Sequence, residues 1–171
     1  MRIYRGGRKN LCGAVLVLTA CFGLRAQVPG KKPQLKLTAV LDGSTVRLGE
    51  KIPITFHLQN ISIRNVAITM TEPGYDISLS MVDGRNRGVP LTKFGEAMQH
   101  GLRIIAHGRA ETLVPGGERR FALDLAEYYE IRRPGAYFIE GTYNGLVYLD
   151  PSRPGQKARV ASKRVKVMVV R

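Results

Sequence analysis

The feature that most constrains this chain is a two-residue rhythm between Leu113 and Tyr143. After the turn Pro115-Gly116-Gly117, Phe121, Leu123 and Leu125 point one way while Arg120 and Asp124 point the other. A second turn, Pro134-Gly135, launches Tyr137, Ile139, Gly141 and Tyr143 on the same period. Proline fixes one backbone angle and glycine admits the left-handed one, so both spots reverse the chain. Side chains two apart share one face of a strand. Each run therefore carries an apolar face that only a second layer can keep dry.

The rhythm recurs upstream and downstream. Val28 to Pro33 is a linker, since two prolines, a glycine and a lysine pair cannot enter a sheet. Leu35, Leu37, Ala39 and Leu41 then alternate with polar residues, and Asp42-Gly43-Ser44 turns. Val46 and Leu48 lead to a turn at Gly49-Glu50. Ile52, Ile54, Phe56 and Leu58 form the cleanest alternation, with Pro53 marking an edge strand or a strand start. Val66, Ile68 and Met70 form another strand, followed by Tyr75, Ile77, Leu79 and Met81, with Asp76, Ser78 and Ser80 expected to face water. Asp83-Gly84 is a hairpin signal. Arg85 to Gly108 loses the period and reads as a long loop or a hidden short strand. Leu125 to Glu130 permits one helical turn, Leu146 to Gln156 reads as a loop, and Val165, Val167 and Val169 end the pattern. The expectation is all-β: an immunoglobulin-like sandwich of seven or eight antiparallel strands with no long helix.

Residues 1–26 are compositionally separate. Arg2, Arg5, Arg8 and Lys9 precede an apolar run of twelve residues, Leu11 to Phe22. That is short of the roughly 20 residues that span a bilayer, so a cleavable signal peptide is expected. Cleavage falls after Ala26, or before Cys21 if Leu18-Thr19-Ala20-Cys21 is a lipobox and Cys21 takes the lipid. Residues 27–33 then form the linker and 34–171 the sandwich domain. The address is exported, periplasmic or secreted. Both cysteines, Cys12 and Cys21, lie in the signal segment, which excludes thiol catalysis and cysteine-bound metal from the mature domain. The full chain carries +14; without the five basic residues of the signal segment, 22 cations face 13 acids, or +9.

The order of features resembles a known group. Asn60-x-Ser62 ends a strand, and Tyr75-Asp76-Ile77-x-Leu79-x-Met81-Val82-x-Gly84 forms one. Leu113-x-Pro-Gly-x-Glu118 and Pro134-Gly-x-Tyr137 follow. This pattern, covering about Leu35 to Val170, resembles the immunoglobulin-like sandwiches of uncharacterised exported bacterial proteins. More loosely, it is similar to the intracellular proteinase inhibitor family of Bacillus. The resemblance implies a sandwich, and the looser one implies inhibition through a loop.

His57 sits on a polar strand face, and His100 and His107 are seven apart, which matches no zinc spacing. No Gly-x-Ser-x-Gly elbow and no phosphate cradle occur. Asn60-Ile61-Ser62 has the form of a glycosylation acceptor but reads as a polar strand end. No catalytic residue, metal site or cofactor is expected, and an enzyme is not. The basic pairs Arg119-Arg120 and Arg132-Arg133, and the cluster Arg159, Lys163, Arg164 and Lys166, lack interleaved aromatics, so nucleic acid is not an expected partner. Loops on a rigid frame carry recognition. The expected function is therefore binding of a protein or cell-envelope partner, with membrane contact only through a lipid on Cys21. The partner loop would present Arg85, Arg87, Lys93, Phe94 and Arg103. Two alternatives stand beside it: a proteinase inhibitor that inserts Arg85, Arg87 or Arg103 into its target, and a glycan binder using Tyr128, Tyr129 and Tyr148.

Overall fold

A computed structural model describes residues 34–70, 76–100, 109–150, 152 and 154–171. The signal segment, Cys21 and Arg103 lie outside the described residues, as does His107. Ten strands and two helices are seen among them. They run β1 (Leu35–Leu41), β2 (Thr45–Arg47), β3 (Pro53–Asn60), β4 (Val66–Met70), β5 (Ile77–Asp83), α1 (Lys93–His100), β6 (Arg109–Leu113), β7 (Glu118–Asp124), α2 (Leu125–Tyr128), β8 (Gly135–Tyr148), β9 (Gln156–Ala161) and β10 (Val165–Val170).

Two sheets stack. One has the order β1-β3-β7, all antiparallel. The other is built on the 14-residue strand β8. One edge of β8 takes β5 and then β4, which carries β6; its other edge takes β10 and β9. The facing rows are apolar. From β3 come Ile54, Phe56 and Leu58, at 1%, 0% and 0% exposure; from β8 come Ile139, Tyr143 and Val147, at 0%, 0% and 1%. Each such side chain withdrawn from water contributes roughly 1.5–3 kcal/mol before chain entropy is subtracted. This is the immunoglobulin-like sandwich expected from the alternation. Tyr137 adds the corner contact of such folds: its hydroxyl donates to the Arg133 carbonyl at 2.7 Å.

The structure corrects the reading in detail. There are more strands than seven or eight, and β2 runs parallel to β10, with Met168 opposite Thr45. A three-residue strand between two turns shows no period, and only the edge offered by β10 makes it a strand. The stretch expected as a loop after Leu146 is shorter, because β8 continues to Tyr148 and β9 begins at Gln156. The inward residues of β9 are only Ala158 and Val160, too weak a stripe to stand out. Asp76, expected to face water, is 5% exposed. Pro53 is the first residue of β3, a strand that lies in the middle of its sheet. Its missing N–H costs little at a strand start, while its carbonyl still accepts from the Asp42 N–H.

Asn60 is a buried strand end, not a sugar acceptor. Its amide nitrogen donates to the carbonyls of Leu113 and Arg64, at 2.9 and 2.7 Å, and the residue is 0% exposed.

Candidate functional site

The candidate recognition surface forms at the sandwich end where β5 stops and β8 starts, Asp83 lying opposite Tyr137. A tight corner leaves β5. Asn86 takes the left-handed conformation, φ 60°, and the Asp83 N–H donates to the Arg87 carbonyl. Asp83 organises this corner. Its Oδ1 accepts from the backbone of Arg85 and Arg87, and its Oδ2 accepts from the Arg87 guanidinium at 2.7 and 2.9 Å. The Arg87 side chain, then its backbone N–H, hold the Asp83 carboxyl down at about 2.

A depressed carboxylate favours the fold above its unfolded value of roughly 3.9, and that contribution is lost as pH falls towards the folded value. The corner is therefore expected to stay closed at pH 4 and to open only near pH 2. NMR titration of the Asp83 carboxyl carbon checks this; a midpoint near 4 would show that the clamp is absent in solution.

The chain then crosses to the far corner. Leu91 bridges to Tyr129, the Thr92 N–H donates to the Tyr128 carbonyl, and the Glu130 N–H donates to that of Pro90. Thr92 next caps α1: its hydroxyl accepts from the Gly95 N–H at 3.0 Å and donates to the Glu127 carbonyl. The expected loop thus contains an eight-residue helix. Eight residues are too few to hold a helix alone, so docking must hold it. A cap at Thr92 with Phe94 and Met98 four apart was the available signal, and Gly95 in the first turn masked it.

Gly95 is what permits the docking. A methyl group there would sit 2.2 Å from the Tyr128 carbonyl oxygen. Helix propensity alone makes Gly→Ala favourable by about 1 kcal/mol. The clash reverses the sign. Gly95→Ala is expected to cost about 1–2 kcal/mol and to speed amide exchange across 93–100. Slower exchange there would show that α1 does not rest on α2.

The predicted contact residues separate. Phe94 stacks edge-on against Tyr128, centroids 5.2 Å apart, yet stays 46% exposed. Arg87, with Arg132 and Arg133 from the opposite corner, lines a groove of about 340 Å3 together with Asp83, Glu130, Val89, Pro90 and Tyr137. Arg132 pairs with Glu130, whereas the Arg133 side chain has no acidic partner among the described residues. Arg85 and Lys93 are exposed. Arg87 folds back on Asp83, whereas an inhibitor's specificity arginine has to project outwards.

Tyr128 and Tyr129, expected as glycan contacts, are instead core residues, 3% and 4% exposed. The helical turn of α2 points Leu125 and Tyr128 inwards together, and the bridge to Leu91 carries Tyr129 under the crossing chain. Tyr148 lies at the other end of β8 and packs against Gly155. No coplanar aromatic row forms from these three.

The basic residues are also dispersed. Arg119 and Arg120 on β7 meet Glu111 and Glu118, and Arg159 lies on β9. His57 shares Glu118 at 3.3 Å, so it is not a free surface histidine. Among the described residues no cluster of three metal-ligating side chains occurs, and no helix is long and apolar enough to cross a membrane.

The frame defines a class, the immunoglobulin-like β-sandwich domains. No family model matches the chain, and no curated protein does. Some solved structures resemble the chain distantly. The CARDB domain of a Pyrococcus furiosus protein, solved with di-metal ions, is 12% identical with TM-score 0.38, over 81% of this chain and 89% of that one. Native alpha-2-macroglobulin from Escherichia coli, from domain MG7 to the C-terminus, is 12% identical with TM-score 0.44, over 81% and 17%. The sporulation control protein Spo0M of Bacillus subtilis is 10% identical with TM-score 0.43, over 80% and 49%. The chain thus spans about a sixth of the macroglobulin structure and about half of Spo0M. Likeness at this level assigns no task.

Proposed function

We propose that this chain is an exported, non-catalytic recognition module, and that the end surface built by the Asp83 corner and α1 contacts a protein or envelope partner with an acidic surface. The observation that carries this reading is an exposed aromatic, Phe94, on the same crossing segment as a groove lined by three arginines and two carboxylates, Asp83 and Glu130, which leaves one cation in excess. Exposed aromatic and arginine side chains are the types enriched in binding hot spots. The segment is fixed at three points, to Asp83, Tyr128 and Glu127, so little order is lost on binding. The arginines supply steering towards anions and Phe94 the desolvated anchor.

Site-specific photocrosslinking in the producing cell tests this. A photoreactive residue at position 94 is expected to give one adduct, which disappears in the Arg132→Glu/Arg133→Glu background. Adducts from position 63, at the opposite end, with none from 94, would overturn it. Export is read separately, by mass spectrometry of the mature N-terminus. A start at Gln27 or a lipidated Cys21 supports it; an intact Met1 in the isolated protein overturns it.

A further inference from the structure

Among the described residues, two strands each leave one backbone edge unpaired beside a single cleft. In an antiparallel ladder, residues that exchange hydrogen bonds alternate with residues that turn their N–H and C=O outwards. The Asp42 N–H donates to Pro53 and the Ile61 N–H to Gln34, which assigns the even-numbered residues of β1 to β3. The backbone groups of Leu35, Leu37 and Ala39 therefore face away, and no described strand pairs with them. On β9, the Ser162 N–H donates to Gly141, which assigns Ser162, Val160 and Ala158 to β8 and leaves Lys157, Arg159 and Ala161 without a strand partner among the described residues.

Between these edges lies a cleft of about 530 Å3. Leu35, Leu37 and Ala39 line one wall, and Val160 and Val165 the other. Ile61, half exposed, stands at its mouth. The polar lining includes Lys36 and Lys163 and no carboxylate.

We infer that this cleft takes an extended segment of a partner polypeptide, added as a strand to the free edge of β1. Main-chain hydrogen bonds to Leu35, Leu37 and Ala39 would supply affinity, and alternate side chains would enter the apolar floor. A segment of about five residues would match the stretch Leu35–Ala39 that lines the cleft, roughly 17 Å of strand. Lys36 and Lys163 select acids at the intervening positions. The inference rests on the reading of the chain as a recognition module, and not on which end of the sandwich the Phe94 surface serves.

The test uses the mature protein isolated from the producing cell and a fluorescent hexapeptide, Asp-Val-Asp-Val-Asp-Val, followed by polarisation and amide exchange. Saturable binding is expected, with slowed exchange at the Leu37 and Ala39 amides. Methylation of alternate peptide nitrogens should abolish it, and Lys36→Glu/Lys163→Glu should weaken it at least tenfold. Phe94→Ala should leave it unchanged, so failure here and failure of the Phe94 surface are told apart. Equal binding of the N-methylated peptide, or no exchange protection on β1, would overturn strand addition. So would a concentration-dependent dimer that excludes the peptide, because the occupant would then be a second copy.

Discussion

Gly141→Ala is expected to cost about 3 kcal/mol and to lower the melting temperature by about 10 °C, although alanine ordinarily improves a strand. Gly141 lies on the inner face of β8, where a methyl group would sit 2.2 Å from Cε1 of Phe56. Phe56 is 0% exposed and pairs across its own sheet with Ala39 and Phe121, so it has nowhere to retreat. The backbone of Gly141 is held as well: its N–H donates to the Ser162 hydroxyl, and its carbonyl accepts from the Ser162 N–H at 2.8 Å. The Phe56→Leu background should recover at least about 1 kcal/mol of the loss, because removal of ring atoms opens the contact. Thermal melts of the four proteins of this cycle check it. A Gly141→Ala protein as stable as the parent would mean that the sheets do not approach this closely.

The second large effect is expected at Asn60. Asn60→Ala should cost about 3 kcal/mol, and Asn60→Asp should cost more. The side chain gives two hydrogens, to Leu113 and Arg64, and takes two, from the N–H and hydroxyl of Ser62. Its own backbone binds the Pro115-Gly116-Gly117 turn in both directions. Alanine removes all four of these side-chain hydrogen bonds from a fully buried position, a penalty of about 1–3 kcal/mol by itself for each polar group left unsatisfied. Aspartate adds an acceptor facing two carbonyls with no proton to offer. Urea denaturation ranks the three proteins; aspartate tolerated better than alanine would overturn the assignment of the amide.

These two residues show how far the sequence could be read. Alternation placed Gly141 on the inner face of its strand, between Ile139 and Tyr143, but nothing in the pattern said that Phe56 needs the space. Asn60 stood out as a strand end, and the hydrogen bonds that make it a clasp come from segments 4 and 53 residues away. The same limit explains the tyrosines. Tyr128 and Tyr129 look free by period because a single helical turn and a long-range bridge set their direction, and neither has a two-residue signature. It also explains α1, whose glycine is a weak helix former chosen by a neighbouring carbonyl.

By itself, the sequence determined the layered all-β class, most strand positions and the inward seats of Tyr137 and Tyr143. Each of these follows from local periodicity and turn chemistry, which neighbours in the chain enforce. Only the tertiary structure decided the parallel seat of β2, the docking of α1, the gathering of Phe94 and the arginines at one end, and the free edge of β1. Those depend on which distant backbone groups find a partner, and hydrogen bonding across tens of residues leaves no period to read.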